Sequence, residues 1–415
     1  GAGSRGVAHV VMLRTRLTSG AQPEPVVADT AASLAALDHE VTLLAWDRDG
    51  DSDCEAQAGW GRLVRYRRAC SLNAPLAFVR ELPRFWCWCL RRIIALRGGD
   101  LVIHAHDLDT LPLGLFAARL LRAPLVYDCH ENYPALVEGA VSHRAALRLH
   151  QLEARLLRRC DGVLAAGPQG FARLTAMRHE GGGAPFSAPL EEALAVLKLP
   201  QPELVRDGVA LVGNLKRLED YPAATIAARK PGKQLKVLYI GVLEKRPSRG
   251  ILETALAIEG LRDVEFQIGG FGTLVPQLER LCRRLRHSRY LGPVPPGDVA
   301  RLTLEADAVL MALDPANLNS RLSAPNKLFE AMCAGVPVIT CSELLMGHFV
   351  ADEQIGATFA WGDWRALRRS ARELRDSPAT RDAMGRRGRA LAESGFHWDA
   401  AAERLARLYD SVLKR

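Results

Sequence analysis

Residues 323–339 combine a loop, a short helical pattern and a buried strand, and the start of the helix suits binding of an anion. Pro325 suits the first turn because it has no N–H to leave unpaired, and Gly335 suits the left-handed position that ends a helix. The first N–H groups of a helix point at a bound anion, and the helix dipole strengthens the attraction. The N–H groups expected to be available are those of Asn326, Lys327 and Leu328.

Lys327 and Glu330 are three residues apart and therefore share one face of this predicted helix. A lysine beside the anion adds positive charge, and a carboxylate accepts strong hydrogen bonds from hydroxyl groups. Taken alone, the pair is more often two solvated side chains on an ordinary helix.

A loop between a predicted strand and helix contains Lys245 and Arg249, just after Gly241. A guanidinium group matches phosphate oxygens well, so this loop favours a phosphate role for at least one of the two cations. Both side chains could instead be solvated. Gly270 and Gly272 follow the next strand, but they are a weak signal because any tight turn uses glycine.

In the N-terminal half, His106 and Asp107 follow one buried strand, and His130 and Glu131 follow the next. Polar side chains at the carboxyl ends of parallel strands are placed to meet a ligand. The alternative for His130 is a core histidine that donates to a carbonyl. His106 and Asp107 could instead shape the loop at the end of their strand.

Together these segments resemble the GT-B glycosyltransferases, in particular retaining glycosyltransferase family 4, over nearly the whole chain. The most specific part is 323–339, which is similar to the donor-nucleotide motif of that family. The resemblance implies that Glu330 holds the ribose hydroxyls of a nucleotide sugar and that His130 lies against the donor sugar. The expected donor-binding residues are Gly20, Gly241, Gly270, Gly272, Ser323, Asn326, Lys327, Leu328 and Glu330, and the expected catalytic residues are His130, Glu131, Lys245 and Arg249.

The chain departs from the family pattern at three places. Leu322 stands where the family often has a first glutamate, so Ser323 or backbone must hold the sugar hydroxyls. Val242 stands where an arginine often follows the strand glycine, so Lys245, Arg249 or another loop cation must neutralise the phosphates. Residues 180–206 read as an insertion relative to a compact family member.

Apolar runs of strand length alternate with longer helical patterns, which is typical of βαβ units and parallel sheets. The predicted fold is α/β, with two Rossmann-like doubly wound domains that face a central cleft. We expect an N-terminal acceptor domain at 5–220, a linker at 221–234 and a nucleotide-sugar donor domain at 235–395. A helix at 396–415 is expected to cross back to the N-terminal domain.

Composition limits the function classes. The 415 residues are 48% hydrophobic and 25% charged with a net charge of +8, which fits a globular protein that attracts anions. The nine cysteines form no Cys-x-x-Cys pair, so neither a zinc site nor a disulfide scaffold fits. No apolar stretch is long enough for a transmembrane helix, and residues 1–4 resemble a tag remnant.

Two metal-like patterns are interpreted as strand-end turns. Asp107 and Asp109 imitate a metal-binding Asp-x-Asp, but they lie in the half that does not bind a metal–diphosphate in this architecture. Residues 47–53 imitate a calcium loop without its sixth-position glycine and twelfth-position glutamate. We therefore expect no metal and no cofactor beyond the nucleotide sugar itself.

Residues 82–97 carry two tryptophans and several arginines, among them Arg84 and Trp88. One interpretation is a helix packed on the N-terminal sheet. The other is a partly exposed face that meets an anionic membrane surface or a lipid-linked acceptor. Arg84 and Trp88 join His106 and Asp107 as candidate acceptor-side residues.

The sequence thus predicts a cytoplasmic retaining glycosyltransferase that could attach peripherally to the inner face of the membrane. UDP is the default nucleotide because it is the frequent one in the family that the chain resembles. The sugar is expected to pass to an acceptor hydroxyl that is carbohydrate, lipid-linked or a small molecule. Two alternatives stay open: a GT-B epimerase or phosphorylase, and a basic nucleic-acid-binding protein. No recognised nucleic-acid module supports the last, so nucleic acid is not an expected partner.

Overall fold

The computed structural model describes residues 7–17, 22–50, 54–70, 75–97, 99–137, 142–183, 186–229, 234–245 and 248–414. The chain divides into two compact units. The first unit contains residues 1–213 and 402–415, and the second contains residues 214–401. None of the helices within the described ranges is long and apolar enough to cross a membrane.

The first unit is built on one sheet that has nine strands within the described residues, in the order β3-β4-β2-β1-β5-β6-β7-β9-β8. The β3–β4 and β8–β9 pairs are antiparallel, and the other pairs are parallel. The strands are β1 His9–Arg14, β2 Glu40–Asp47, β3 Glu55–Ala58, β4 Gly61–Arg67, β5 Leu101–His106, β6 Leu125–Cys129, β7 Gly162–Ala165, β8 Val205–Arg206 and β9 Val209–Leu211.

Helices connect these parallel strands, and β5, β6 and β7 are buried along their whole length. A parallel strand covered on both faces needs a continuous apolar run, which explains the sequence pattern. The helices of this part of the chain are α1 Pro25–Ala35, α2 Pro75–Ala95, α3 Leu111–Leu121, α4 Tyr133–Val137, α5 His143–Leu157, α6 Pro168–Glu180 and α7 Leu190–Leu197.

The second unit has a fully parallel sheet with six strands among the described residues, in the order β12-β11-β10-β13-β14-β15. Its strands are β10 Leu235–Val242, β11 Val264–Phe271, β12 Ser288–Gly292, β13 Ala308–Met311, β14 Val338–Cys341 and β15 Gly356–Phe359. Its helices are α8 Ala223–Ala228, α9 Ile251–Ile258, α10 Val275–Cys282, α11 Val299–Glu305, α12 Leu318–Leu322, α13 Asn326–Ala334, α14 Leu345–Asp352, α15 Trp364–Asp376 and α16 Pro378–Ser394.

The α/β prediction with two Rossmann-like sheets is confirmed. In both sheets the strand order reverses at one place, between β1 and β5 in the first unit and between β10 and β13 in the second. Ligands of open parallel sheets bind beyond the carboxyl ends of the strands at such a reversal. The residues that follow β1, β5 and β10 are therefore the ones to inspect.

The division of the chain differs in detail from the predicted boundaries. It falls after Gly213 instead of after residue 220, and the segment expected as a linker contains α8. Among the described residues of the 180–206 segment, α7 packs on α6, and 3₁₀ turns lie at Gly181–Gly183 and Gln201–Leu204.

The last helix, α17, runs from Trp398 to Leu413, and its residues from Ala402 onward belong to the first unit. Tyr409 is buried there, and Leu408 and Val412 lie so close to Gly162 that a Cβ on that glycine would be 2.9–3.2 Å from their side chains. A residue without a side chain at the start of β7 therefore lets α17 pack directly on the sheet.

Candidate active site

Helix α13 carries the predicted nucleotide motif, and both of its ends are held in place. It begins after Pro325 and ends at Gly335, which has the left-handed backbone expected of a helix terminator (φ 62°). Arg229 donates to the carbonyls of Ala334 and Gly335 at 2.9 and 3.2 Å, and Arg389 donates to that of Cys333 at 2.6 Å. Cations at the carboxyl end of a helix satisfy its last carbonyls, so α13 is a firm support.

Lys327 lies over the ring of Tyr239, with Nζ 4.5 Å from the ring centroid. The lysine reaches this place because Gly241 has no side chain, since a Cβ there would be 2.7 Å from Nζ. Burial, together with the charges of Arg249 and Lys216, lowers the pKa of Lys327 to about 8, although Glu330 acts in the opposite direction. The ammonium group therefore lacks enough local negative charge, which a bound anion would supply.

Glu330 is one turn further along α13, with 14% of its side chain exposed. Its Oε1 is 3.7 Å from Nζ of Lys216, which also donates to Oδ1 of Asn326 at 2.5 Å. Lys216 was not predicted as a site residue, because it is separated from α13 by 110 residues and stands in no recognisable motif. The charges of Arg249, Lys216 and Glu330 all act on Lys327.

The expected anion site at the start of α13 needs one correction. The N–H of Leu328 donates to the carbonyl of Pro325 at 3.2 Å, so it is not free for a ligand as expected. Leu328 itself is fully buried and anchors the helix. Ser323 ends α12 and donates to the carbonyl of Ser320 at 3.1 Å, which leaves its side chain half-buried beside α13.

The glycines after β10 and β11 allow the two strand ends to approach each other. A Cβ on Gly270 would be 1.8 Å from the carbonyl oxygen of Gly241, so no other residue fits there. Gly272 approaches the backbone of Leu243 in the same way, at 2.4 Å. These glycines allow the backbone contacts that fix the shape of the loops. Backbone contact therefore explains why glycine stands at these two positions, which were only a weak sign of a site in the sequence.

The two predicted phosphate cations differ in their surroundings. Arg249 is half-buried, and its Nε has no hydrogen-bond partner among the described residues. Lys245 is exposed at the edge of the described part of the loop. An incompletely paired buried guanidinium is costly unless a ligand completes it, so Arg249 is the stronger candidate.

In the first unit, the ends of β5 and β6 bring together what we call the Asp128 cluster: His104, His106, Asp128 and His130. His106 pairs in register with Asp128, and His104 lies two residues earlier on the same face of β5. Oδ2 of Asp128 is 3.4 Å from Nε2 of His104, 3.1 Å from Nδ1 of His106 and 3.3 Å from Nε2 of His130. Three imidazole rings therefore converge on one carboxylate oxygen.

Further contacts complete this cluster. His106 Nδ1 and His130 Nε2 are 2.9 Å apart, and Nδ1 of His104 is 2.7 Å from the hydroxyl of Tyr409. Burial opposes a charge on His130, but the carboxylate of Asp128 raises the pKa of His130 above its ordinary value, whereas burial lowers the pKa of His106 to about 3. Burial opposes ionisation of Asp128, but the imidazoles around it hold its pKa well below the usual range.

Asp107 and Asp109, which imitated a metal site, have separate partners in the structure. Asp107 forms a buried ion pair with Arg14 and accepts the backbone N–H of His130 at 3.0 Å. Asp109 accepts from Thr15 at 2.5 Å, and burial raises its pKa to about 6. Arg14, the last residue of β1, also pairs with Glu24. The sequence prediction missed this charged residue.

Ligand atoms of His104, His106 and Asp128 lie within 4.8 Å of one another, a spacing that metal ligands also have. Each of these atoms already faces another member of the cluster at hydrogen-bond distance. We therefore interpret the Asp128 cluster as a hydrogen-bonded network.

The remaining predicted residues are placed as follows. Glu131 is half-buried beside His130. Gly20 lies outside the described residues. Arg84 is exposed on α2 and pairs with Glu81 at 2.7 Å, while Trp88 is half-buried against Phe85 and Tyr66.

The comparisons with known proteins agree with this architecture. A family model described as glycosyltransferase family 4 matches residues 23–177, and one described as glycosyl transferase-like matches residues 246–407. The glycogen synthase of Mycobacterium tuberculosis is 25% identical to this chain over 319 residues, which cover 74% of this chain and 68% of that protein.

Two solved structures show the same fold at low identity. Sucrose-phosphate synthase from Thermosynechococcus elongatus aligns with a TM-score of 0.72 and 16% identity, over 98% of this chain and 99% of its own. HepE of Anabaena, solved in complex with UDP-glucose, aligns with a TM-score of 0.63 and 15% identity, over 96% and 98%. With two family models matching in order along two Rossmann-like units, the chain belongs to the GT-B glycosyltransferases of family 4.

Proposed function

We propose that this glycosyltransferase is a retaining hexosyltransferase that uses a nucleotide-diphosphate sugar, with UDP as the first nucleotide to test. The observation that carries the proposal is the arrangement on α13, where Glu330 faces Lys216 and where Lys327 feels the charges of Lys216, Arg249 and Glu330. A carboxylate suits ribose hydroxyls, and three incompletely neutralised cations suit a diphosphate.

In this proposal each group has one task. Glu330 accepts hydrogen bonds from the ribose hydroxyls. Lys327 and Arg249, with the exposed Lys245, stabilise the diphosphate as negative charge develops on the leaving group. Ser323 and the backbone of Asn326 complete the donor site, and His130 positions the donor sugar.

HepE of Anabaena, solved with UDP-glucose, supports UDP as the first nucleotide. The trehalose-6-phosphate protein from E. coli, solved with UDP-2-fluoro glucose, supports the same choice. Because both share only the fold with this chain, the nucleotide must be measured. A thermal-shift panel of nucleoside diphosphates is the most informative first experiment, since a ligand at 100 times its dissociation constant adds about 2.7 kcal/mol of stability.

Retention of configuration can proceed through a carboxylate nucleophile or through attack on the same face, assisted by the leaving phosphate. We propose same-face attack, since Asp107 and Asp128 are occupied by internal partners. Glu131 is the carboxylate that tests this choice. If a covalent glycosyl-enzyme formed on Glu131 in the unmodified protein, or if Glu131→Gln abolished turnover while donor binding persisted, a nucleophile would be the better mechanism.

The acceptor is a hydroxyl compound, carbohydrate or lipid-linked, and peripheral attachment to an anionic membrane at the inner face belongs to the same proposal. The support is a stripe on α2, where Arg80, Arg84, Cys87 and Arg91 are all exposed along one side. Basic side chains near an acidic bilayer attract it weakly and reversibly.

Turnover is expected to be independent of added metal, because cations of the chain itself serve the diphosphate. Activity that disappears with EDTA and returns with magnesium or manganese would contradict this. Product analysis with donor alone, and then with phosphate, separates the transferase from an epimerase or phosphorylase of the same fold.

A further inference from the structure

The Asp128 cluster contains a buried carboxylate that has no arginine or lysine partner among the described residues. Its neighbours differ in this respect: Asp107 pairs with Arg14, and Glu24 pairs with Arg14 and Arg16. Asp128 faces only imidazole rings. A buried charge needs a compensating charge, so an imidazolium must supply it.

The contacts indicate which ring carries the proton. Nε2 of His130 faces both the Asp128 oxygen at 3.3 Å and the ring nitrogen of His106 at 2.9 Å. A lone pair on Nε2 would be repelled by the carboxylate oxygen of Asp128, which can only accept, so we assign a hydrogen to Nε2. His106 is an unsuitable cation because its other ring nitrogen, Nε2, is buried without a partner among the described residues.

The second ring nitrogen of His130 is then the one that matters for a ligand. Nδ1 of His130 has no hydrogen-bond partner among the described residues, and 7% of the His130 side chain is exposed. In a neutral ring with hydrogen on Nε2, Nδ1 could only accept a hydrogen bond. In an imidazolium, Nδ1 carries a hydrogen and donates.

We propose that Asp128 is a positioning residue that keeps His130 as an imidazolium, with one N–H held inward by Asp128 and the other offered to the donor sugar. The part of this statement that concerns the sugar rests on the proposed function. The charge state of His130 then decides whether the ring donates to a sugar oxygen or accepts from a sugar hydroxyl.

The other charges around His130 do not reverse this balance. Asp107 lies against its backbone and favours the imidazolium, while Arg14 opposes it. Glu24 is attracted to the same imidazolium. His104 shares Asp128 from the opposite side and is itself held by Tyr409 of α17. Among these charges, Asp128 acts most strongly on His130.

The test is a pH titration of histidine side chains by nitrogen-15 NMR, with His130→Gln used to assign the signal. We expect His130 to titrate above the ordinary pKa of a histidine in the unmodified protein. Asp128→Asn removes the negative charge at 3.3 Å and should lower that pKa by about 1–3 units. The alkaline limb of kcat/KM for the donor should move in the same direction.

Asp161→Asn is the matched control. Asp161 accepts the backbone N–H of Leu125 in the same sheet and makes no contact with the cluster, so its variant reports on general destabilisation. It should leave the His130 titration unchanged. If Asp128→Asn does not fold, the titration of the unmodified protein decides alone.

A His130 pKa at or below the ordinary value, or one that Asp128→Asn leaves in place, would overturn the proposal. Stoichiometric zinc in protein purified without chelators would overturn it as well, since a metal would replace the proton. Failure of the proposed function has a different signature: nucleoside diphosphates would not bind, whatever the titration of His130.

Discussion

The two polar centres of this protein use charge in opposite ways. In the first unit, Arg14, Asp107 and Asp128 are buried and satisfied by one another or by imidazoles. In the second unit, Lys327 and Arg249 are cations with few partners around one glutamate. The charges of the first arrangement compensate one another without a ligand, whereas those of the second await an anion.

The difference has a structural origin. The cations of the second unit come from a loop after β10 and from a helix start, where the backbone also offers N–H groups. The charged residues of the first unit stand at the ends of adjacent strands, where register forces them into contact. Loop cations can turn to an anion, whereas strand-end groups are fixed and can orient a reacting sugar.

The largest expected effect concerns the ligand contact of the second unit. Glu330→Ala should weaken nucleoside diphosphate binding by about 1.5–3 kcal/mol for each ribose hydrogen bond lost. Isothermal titration calorimetry with UDP measures this directly. Folding should persist because Glu330 is half-buried at the surface of α13.

Glu305→Ala is the control for Glu330→Ala, since Glu305 is an exposed carboxylate at the end of α11 that pairs with Arg301. It should retain the affinity of the unmodified protein. Unchanged UDP affinity in Glu330→Ala would contradict the ribose role of Glu330. It would also contradict the proposed difference between the two units, in which only the second has charges that await a ligand.

Asp109 tests how completely the charges of the first unit compensate one another, because the fold disfavours its ionised form. Burial and Asp107 raise its pKa to about 6, and its Oδ1 has no hydrogen-bond partner within the described residues. The folded state holds the proton more tightly than the unfolded state, so stability decreases as pH rises from about 4 to about 6.

Asp109→Asn should therefore raise the free energy of unfolding at pH 7, by at most about 3 kcal/mol for a shift of this size. The gain should vanish below about pH 4, where both states are protonated. Urea unfolding at several pH values gives the curve. UDP affinity should not change, and a destabilised variant at pH 7 would show that the ionised carboxylate is needed after all.

Lys327 is the matching group of the second unit, because the fold also disfavours its charged form. Its pKa is lowered from 10.5 to about 8, so the unfolded state binds the proton more tightly, and stability decreases as pH falls from about 10.5 to about 8. Lys327→Met removes this disfavoured charge and should stabilise the free protein at pH 7. The gain should be limited to about 1–2 kcal/mol, because the side chain is partly exposed and the substitution also removes a cation–π contact.

Lys327→Met should also bind UDP more weakly, whereas Asp109→Asn should leave UDP affinity unchanged. In the unmodified protein, UDP affinity should decrease as pH rises above about 8, and this dependence should be absent in Lys327→Met. Calorimetry in buffers of different ionisation enthalpy would show proton uptake on binding. A variant with lower stability and unchanged affinity would make Lys327 an ordinary structural residue.

What could be predicted from sequence follows the same division. The α13 site was predictable because Pro325, Lys327, Glu330 and Gly335 are local and their spacing specifies a helix start, a face and an end. The N–H of Leu328 was misassigned, since a tightened first turn that uses it cannot be inferred from residue types.

The Asp128 cluster was only half predictable. His106 and His130 were recognised individually at strand ends, but their contact depends on the register between β5 and β6, which the sequence does not specify. Lys216 and Arg14 were missed for the same reason, because their partners are distant in the chain. Long-range pairing is the part of a site that local spacing cannot supply.

The smallest expected effect concerns the acceptor side, where the basic side chains of α2 are exposed. Arg80 and Arg91 are eleven residues apart on α2, which places them on one side of the helix, and both are exposed. Arg84 between them pairs with Glu81, so Arg80 and Arg91 are the better residues to change. Each basic side chain near an acidic bilayer contributes about 1 kcal/mol.

The double variant Arg80→Glu with Arg91→Glu should therefore reduce binding to vesicles of anionic lipid, most clearly at low salt, and leave UDP affinity unchanged. Arg119→Glu, an exposed arginine on α3, changes charge elsewhere on the same unit and should have a smaller effect. Co-sedimentation at two salt concentrations measures the difference. If the unmodified protein does not bind anionic vesicles at low salt, α2 has no membrane role and a soluble acceptor becomes the better hypothesis. The apolar side of α2 is then explained by packing on the sheet alone, since Phe85, Cys89 and Ile93 are buried there.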